Sequence, residues 1–262
     1  MTTSNEEQRT LILTGASRGI GHATVKRFSS AGWRVITCSR HAFPEDCPWQ
    51  AGPEDHIQVD LADPDDTERA VDEMRARLQG GKLHALVNNA GISPKGENGE
   101  RLGVMNSRKN VWRQVFEVNL FSTIWLARGL IDELAAAHGA IVNVTSIAGS
   151  RVHPFAGAAY SVSKAALAAL TREMAADFGP LGVRVNAIAP GYIETQLVVD
   201  YWNEQPDPQA AREATYALQP PKRIGQPEEV GMTAVFLASD EATFINASCI
   251  TIDGGRSALY HD

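Results

Sequence analysis

The sequence predicts an α/β protein built on a single doubly wound parallel sheet with helices on both faces. Short, β-branched apolar runs alternate with segments of helical periodicity along most of the 262 residues. A glycine-rich turn directly follows the first of these runs. Hydrophobic residues make up 44% of the chain, enough for one large core, and no repeat or second domain is evident. Residues 1–262 are therefore expected to form one domain.

Charge and cysteine content argue against several kinds of partner. The formal charge of −7 disfavours binding to nucleic acid or to acidic lipids. The cysteines, Cys38, Cys47 and Cys249, are odd in number and form no C-x-x-C pair, so neither a disulfide framework nor a metal site is expected. Residues 1–8 lack the regions of a signal peptide, and no apolar run reaches membrane-spanning length. We expect a cytoplasmic protein with a small-molecule substrate.

The first strand is predicted at residues 9–14 and the first helix at residues 20–30. Between them lies the turn Gly15-Ala-Ser-Arg-Gly-Ile-Gly21. Such a turn lets backbone N–H groups and the helix N-terminus face an anion, so it predicts a phosphate-binding nucleotide site. The spacing is G-x-x-x-G-x-G rather than the common G-x-G-x-x-G.

The later elements continue the alternation. Strands are predicted at residues 34–38, 57–59, 83–87, 141–145, 183–188 and 248–252, and helices at 64–78, 111–137, 159–178 and from 223–229 onward. No regular structure is predicted for the loops at 41–55 and 92–108. Residues 192–222 combine apolar side chains with four prolines, and we expect them to cover the substrate. Their apolar side chains could line a pocket or merely pack the cover onto the body.

Three reactive side chains are expected to meet after the strand at residues 141–145. Ser146 would lie at the end of that strand, and Tyr160 would open the next helix. A spacing of four places Tyr160 and Lys164 on one helical face, one turn apart. Lowering a tyrosine pKa from about 10 to about 7 requires about 4 kcal/mol. A cation roughly 4 Å away supplies that much at an effective dielectric of about 20, although the pair alone also fits an ordinary surface helix.

The order of the motifs resembles the short-chain dehydrogenase/reductase family. The matching motifs are Thr14-Gly15-x-x-x-Gly19-Ile20-Gly21, Asn88-Asn89-Ala90-Gly91, Asn119, Ser146, Tyr160-x-x-x-Lys164 and Pro190-Gly191. They extend from about residue 10 to residue 255. Each motif is modest alone, but their joint order and spacing are specific. The resemblance implies a single Rossmann domain, in agreement with the alternation of strands and helices.

The resemblance also implies an activity: interconversion of a carbonyl and a secondary alcohol by hydride transfer with a nicotinamide cofactor. Ser146 would hydrogen-bond the substrate oxygen, and Tyr160 would exchange a proton with it. Lys164 would lower the pKa of Tyr160 and bind the ribose hydroxyls. Asn119 would hold a water behind the lysine, although a buried asparagine can also simply bond to the backbone.

The cofactor-binding residues follow from the glycine turn and the resemblance together. By resemblance, Asp60 would contact the adenine, while the Ile193 backbone and the Thr195 side chain would bond the nicotinamide carboxamide. The complete predicted set is Gly15, Ser17, Arg18, Gly19, Ile20, Gly21, Ser39, Arg40, Asp60, Leu61, Asn89, Ala90, Gly91, Tyr160, Lys164, Pro190, Gly191, Ile193 and Thr195.

The end of the second strand predicts NADP(H) as the preferred cofactor, with NAD(H) possible. An acid at this position accepts from both ribose hydroxyls of NAD(H) and repels a 2′-phosphate. This chain has Ser39 there, followed by Arg40, a forked cation suited to a phosphate. Arg18 in the glycine turn could reach the same phosphate. Both arginines could instead be solvated loop residues.

Two other functions were weighed against this one. A 3-oxoacyl-[acyl-carrier-protein] reductase would need a basic surface for its acidic partner, and residues 131–138 contain no lysine or arginine. A non-catalytic nucleotide-binding regulator is disfavoured by the intact Asn119, Ser146, Tyr160 and Lys164. The segment His153-Pro154-Phe155 could face the substrate or form a turn.

A homotetramer, or else a homodimer, is expected. The helices at 111–137 and 159–178 are apolar over more than the single stripe that covers a sheet. Their outer faces should therefore be buried against a second copy, and the resemblance implies that these two helices pair across a two-fold axis.

Overall fold

The fold is an α/β sandwich of helices around one parallel sheet. The computed structural model describes residues 8–42 and 53–259, so residues 1–7 and Cys47 lie outside the described part. The strands are Thr10–Thr14 (β1), Arg34–Ser39 (β2), His56–Gln58 (β3), Ala85–Asn88 (β4), Ala140–Val144 (β5), Arg184–Pro190 (β6) and Cys249–Ile252 (β7). These seven described strands run parallel in the order β3-β2-β1-β4-β5-β6-β7. The predicted doubly wound parallel sheet is confirmed.

Helices cover both faces of the sheet, as predicted. They are Gly19–Ser30 (α1), Pro64–Leu78 (α2), Lys109–Phe116 (α3), Ser122–Gly129 (α4), Ile131–Ala136 (α5), Ala158–Phe178 (α6), Gln196–Asn203 (α7), Pro208–Ala217 (α8) and Pro227–Ala238 (α9). Successive strand residues point to opposite faces. Leu11 and Leu13 accordingly pack with Phe28 of α1 in one buried cluster, whereas Ile12 packs with Met74 of α2 in the other. None of the described helices is long and apolar enough to cross a membrane.

The predicted continuous helix at 111–137 is wrong. The segment consists of α3, a π turn at Glu117–Phe121, α4 and α5, with Leu130 in a non-helical conformation (φ −113°, ψ 14°) between α4 and α5. Apolar residues continue through both interruptions, so the pattern conceals them. Other predicted boundaries agree within two residues with those observed.

The direction of winding reverses at β1, which pairs with β2 on one side and β4 on the other. Ligands of doubly wound sheets bind in the crevice at the carboxyl ends of the two strands beside such a switch point. The segments after β1 and β4 begin with Gly15 and Asn89. Both predicted cofactor motifs therefore lie at this crevice.

Residues 192–222, the predicted cover, contain α7 and α8. Trp202 joins them: its indole N–H donates to the Thr215 hydroxyl at 3.0 Å, and its ring meets Tyr216 edge-on at 5.8 Å. Trp202 is 1% exposed, whereas Leu197 on α7 is 72% exposed. Part of the apolar content of this segment therefore holds its own two helices together, and its role as a cover stays a prediction.

Candidate active site

The turn after β1 requires glycine at several positions. Gly15 and Gly19 have φ values of +68° and +56°, which side-chain-bearing residues rarely adopt. A Cβ atom on Gly21 would lie 2.0 Å from the Gly15 carbonyl oxygen, so any side chain there would push the turn apart. α1 begins at Gly19, and Arg18, its N-cap residue, makes no side-chain capping bond. First-turn N–H groups are thus left for an anion, and the turn fits a dinucleotide phosphate.

Hydrogen bonds join the glycine turn to the segment after β4. The Thr14 hydroxyl accepts from the backbone N–H groups of Asn89 and Ala90, each at 3.1 Å. The Asn89 amide donates in return to the carbonyl oxygens of Thr14 at 3.1 Å and Gly15 at 2.9 Å. Residues 14–15 and 89–90 therefore form one rigid unit, and the structure brings these two predicted cofactor motifs together.

The π turn delivers Asn119 to the same place. Asn119 is 1% exposed; its side-chain oxygen accepts from the Ile92 N–H at 2.8 Å, and its amide donates to the Ile92 carbonyl oxygen at 3.1 Å. The amide also donates to the Ser163 hydroxyl at 3.0 Å. These bonds fix the loop after β4 to α6. They match the plainer of the two predicted roles, in which a buried asparagine bonds to the backbone.

Lys164 is buried behind this loop. It is 2% exposed, and its Nζ atom donates to the Val144 carbonyl oxygen at 2.6 Å. Burial lowers the pKa of its ammonium from 10.5 to about 8. A Cβ atom on Gly91 would come within 3.3 Å of this ammonium and 3.6 Å of the Asn119 side-chain oxygen. The glycine therefore leaves the ammonium open toward the crevice.

Tyr160 and Ser146 face each other in front of Lys164. Ser146 caps the short 3₁₀ turn Ile147–Gly149, and its hydroxyl accepts from the Ala148 N–H at 3.2 Å. Burial raises the pKa of Tyr160, and a hydrogen bond with the Ser146 hydroxyl acts in the opposite direction. The Ser146 hydroxyl and the Tyr160 phenol can therefore both reach one substrate oxygen.

The predicted lowering of the Tyr160 pKa by Lys164 is not found in the protein alone. The ammonium lies 5.8 Å from the centre of the phenol ring and donates to the Val144 carbonyl oxygen. Burial is the largest effect on Tyr160 and raises its pKa.

The segment after β6 closes the crevice from the other side. The Gly191 N–H donates to the Ile252 carbonyl oxygen at 2.8 Å, and Ile193 forms an isolated parallel bridge with Gly225. The Thr195 methyl would lie 3.2 Å from a Cβ atom on Gly19, so Thr195 borders the glycine turn. Pro190, the last residue of β6, is buried. The structure therefore places this segment beside the predicted phosphate site.

The end of β2 is more enclosed than predicted. The Ser39 hydroxyl donates to the His41 carbonyl oxygen at 3.0 Å and lies 3.4 Å from His56 Nε2. His56 Nδ1 lies 2.9 Å from the Thr37 hydroxyl, so this imidazole bridges the two strand residues. The Arg40 side chain is exposed. His56 was missed because it lies 17 positions beyond Ser39 and meets it only through the pairing of β2 with β3.

The other predicted adenine and phosphate residues differ in their exposure. Asp60 is exposed; its carboxylate accepts from the Ala62 N–H at 3.0 Å. Leu61 is buried in the core. Ser17 and Arg18 are exposed in the turn, and Ile20 packs against a buried cluster. None of these five has a described contact with the Ser146–Tyr160 pair.

An aromatic wall joins the loop before α6 to the predicted cover. The His153 ring lies 5.1 Å from Tyr192 and 5.9 Å from Phe155, and Phe155 lies 5.6 Å from Tyr201. Burial raises the pKa of Tyr192 to about 12. The segment His153-Pro154-Phe155 therefore packs against residues of the cover. A small cavity of about 10 Å³ borders Tyr160, between the start of α6 and α3.

Comparisons with known proteins agree with this geometry. A family model described as enoyl-(acyl carrier protein) reductase matches residues 15–257. The protein FixR of Bradyrhizobium diazoefficiens is 53% identical over 95% of this chain and 87% of its own. The cis-4-hydroxycyclohexanecarboxylate dehydrogenase of Sinomonas cyclohexanicum is 34% identical, over 96% and 98%. A Brucella ovis oxidoreductase of the short-chain dehydrogenase/reductase family, solved with a partially ordered NAD, is 57% identical with a TM-score of 0.79, over 94% and 100%.

Proposed function

Because the chain belongs to the short-chain dehydrogenase/reductase family and is an oxidoreductase acting on CH–OH groups, we propose that it interconverts a carbonyl and a secondary alcohol with Ser146, Tyr160, Lys164 and Asn119. The observation that carries this proposal is the hydrogen-bonded Ser146–Tyr160 pair in front of the buried Lys164 ammonium. The relative from Sinomonas is named as a dehydrogenase of cis-4-hydroxycyclohexanecarboxylate, which is also a secondary alcohol.

Each of these residues has a separate task in the proposed reaction. The bound nicotinamide supplies or accepts the hydride. Ser146 donates a hydrogen bond to the substrate oxygen, and Tyr160 gives that oxygen its proton in reduction or takes it in oxidation. Lys164 would hold a positive charge behind the phenol and would bind the ribose hydroxyls of the cofactor. Asn119 positions the loop that bears Gly91 and Ile92.

We propose NADP(H) as the preferred cofactor, with NAD(H) accepted. Ser39 carries no negative charge that would repel a 2′-phosphate, and the exposed Arg40 and Arg18 side chains are available to bind one. The NAD in the Brucella ovis relative supports NAD(H) as the second cofactor.

A 3-oxoacyl thioester is the second candidate substrate, favoured by the acyl-carrier name of the matching family model. Against it, residues 131–138 at α5 contain no lysine or arginine to meet an acidic carrier. A non-catalytic role is disfavoured because Asn119, Ser146, Tyr160 and Lys164 are all present. We propose a homotetramer or homodimer as the assembly, and a cytoplasmic location stays a prediction of the sequence.

The deciding experiment combines a substrate panel with one substitution. Ketones, 3-oxoacyl thioesters, steroids and sugars are assayed by cofactor absorbance with NADPH and NADH. On any accepted substrate, Tyr160→Phe removes the transferable proton while keeping the ring, so turnover should fall by a factor of 100 or more, roughly the contribution of a positioned acid. Cofactor binding, measured by fluorescence, should be nearly unchanged. Activity within a few-fold of wild type would remove Tyr160 from the proton-transfer role.

A further inference from the structure

A hairpin after β4 presents two cations close to the candidate active site. We call residues 95–101 the basic hairpin. An antiparallel bridge between Lys95 and Arg101 closes it, and the Gly96 N–H donates to the Glu100 carbonyl oxygen at 3.0 Å. Pairing of its ends keeps the Lys95 and Arg101 side chains side by side.

The basic hairpin is fixed to the loop that leads into Tyr160. The Lys95 ammonium donates to the Phe155 carbonyl oxygen, and Arg101 Nε donates to the Ala156 carbonyl oxygen at 2.7 Å. One residue beyond the hairpin, the Leu102 carbonyl oxygen accepts from the Ala158 N–H at 2.8 Å. Lys95 and Arg101 therefore contact backbone groups that lie only a few residues before Tyr160 in the chain.

The charges of this pair are not balanced within the described residues. Both side chains donate to uncharged carbonyl groups, and no described acid forms an ion pair with either. The hairpin also carries two acids, Glu97 and Glu100, of which Glu100 accepts from the Asn98 N–H at 3.0 Å. Burial and the neighbouring Arg101 lower the pKa of Lys95. Two like charges held together favour an anion between them.

The pair also lies beside the space where a substrate would sit. Pro94 and Leu102, the chain neighbours of the two cations, line the small cavity that borders Tyr160. On the other side of the loop, burial and nearby cations, Lys95 foremost among them, lower the pKa of His153. Several cations therefore lie close to His153 although the whole chain is acidic.

We propose that Lys95 and Arg101 bind a carboxylate of the substrate, which makes the substrate a hydroxy or oxo acid whose carboxylate lies apart from the reacting carbon. The inference rests on the proposed carbonyl–alcohol function and adds to it a substrate class and two specificity residues. A planar carboxylate can accept from the fork of Arg101 and from the Lys95 ammonium at once.

The test compares 4-oxocyclohexanecarboxylate with its methyl ester, which shares the ketone and lacks the negative charge. The ratio of kcat/KM for acid over ester should be about tenfold or more in the wild type, the size of a charge-assisted contact. Lys95→Gln and Arg101→Gln should each lower that ratio several-fold, chiefly by raising KM for the acid, because the contact exists before and during the reaction. Arg101→Lys, which keeps the charge, should retain most of the ratio.

Arg172→Gln is the matched control, since Arg172 also donates to a backbone carbonyl, at 3.2 Å, but lies twelve residues past Tyr160 on α6. It should leave the ratio unchanged. Thermal unfolding checks that both glutamine variants are folded. A wild-type ratio near one, or an unchanged ratio in both folded variants, would overturn the carboxylate site. Calorimetric binding of the acid to the complex with oxidised cofactor separates the two proposals. If the acid binds, the two glutamine variants weaken that binding, and neither the acid nor the ester is turned over, then only the proposed reaction fails and the carboxylate site stands.

Discussion

At the residue scale, burial drives Tyr160 and Lys164 in opposite directions. It penalises the charged form of each group, so the pKa of Tyr160 rises and that of Lys164 falls to about 8. At neutral pH the phenol is therefore protonated and the ammonium still charged. The phenol therefore holds the proton needed for carbonyl reduction. Alcohol oxidation requires a deprotonated phenol, so the rate of oxidation should rise at alkaline pH.

Lys164 should make stability depend on pH. Below about pH 8 the ammonium is charged in the folded and unfolded chains, so the cost of burying it is fully present. Between about 8 and 10.5 the unfolded chain holds a proton that the folded chain has lost, so the free energy of unfolding rises with pH. The full change corresponds to about 3 kcal/mol as an upper bound. Urea unfolding of wild type and Lys164→Met at pH 7 and pH 10 measures it: the advantage of the methionine variant should shrink at pH 10. An advantage independent of pH would show that Lys164 is charged when folded at both values.

The cofactor preference is a second property of single residues. Arg40→Ala should lower kcat/KM for NADPH by about tenfold or more, since one charge-assisted contact contributes roughly 1.5–3 kcal/mol. Ser39→Asp should shift the preference toward NADH by restoring the ribose acceptor and the repulsion together. The measurement is kcat/KM for both cofactors, with Arg172→Ala as a surface control. A wild type that prefers NADH, or an Arg40→Ala variant with unchanged discrimination, would place the phosphate pocket elsewhere.

At the element scale, the interruptions of the segment 109–136 decide what it can do. The π turn at Glu117–Phe121 brings Asn119 within hydrogen-bonding distance of Ile92. Further on, Gly129 at the end of α4 lets that helix approach α2, because a Cβ atom there would lie 2.6 Å from a Val71 methyl.

Gly129→Ala should destabilise the fold by about 1–3 kcal/mol, the usual cost of forcing an extra methyl into a packed core. Gly179→Ala is the comparison for packing, because its added Cβ would meet only the Asn246 amide at 3.8 Å. Both are compared by urea unfolding. Equal stability of the two variants would mean that α2 and α4 separate at little cost.

The sequence predicts some helices and strands more accurately than others. The helices α7 and α8 were not predicted, whereas the strands and the helices at 20–30, 64–78 and 159–178 were predicted within two residues because their periodicity is local. The break at Leu130 and the π turn were not, since the apolar stripe continues across both. Contacts such as Ser39 with His56, or Lys95 with Phe155, join residues 17 and 60 positions apart, so only the fold reveals them. Ser146, Tyr160 and Lys164 were predictable because a strand end and one helical turn place them.

At the scale of the whole molecule, several large apolar side chains remain uncovered. Phe121 and Trp125, next to and on α4, are 38% and 43% exposed, and Val162 on α6 is 47% exposed. These are the two helical regions whose outer faces were expected to meet a second copy. An interface there would bury the exposed aromatic rings.

Light scattering should therefore report a homotetramer, or a homodimer, at micromolar concentration. Trp125→Glu would bury a charge in the interface and should shift the protein to a smaller species. Lys26→Glu, on an exposed part of α1, changes the charge by two units rather than one and should still leave the assembly intact. A wild type that stays monomeric would contradict the proposed assembly.

The edge position of β7 has a consequence for handling the protein. Among the described residues this strand pairs only with β6, and Cys249 and Thr251 on it are exposed. A bare strand edge is a template on which other chains can add strands. Phe244, wholly exposed a few residues before β7, adds an exposed apolar side chain close to this edge. If assembly shields this edge, dilute stocks should lose material as insoluble aggregate rather than as soluble monomer, and shelf life should improve as the stock is concentrated.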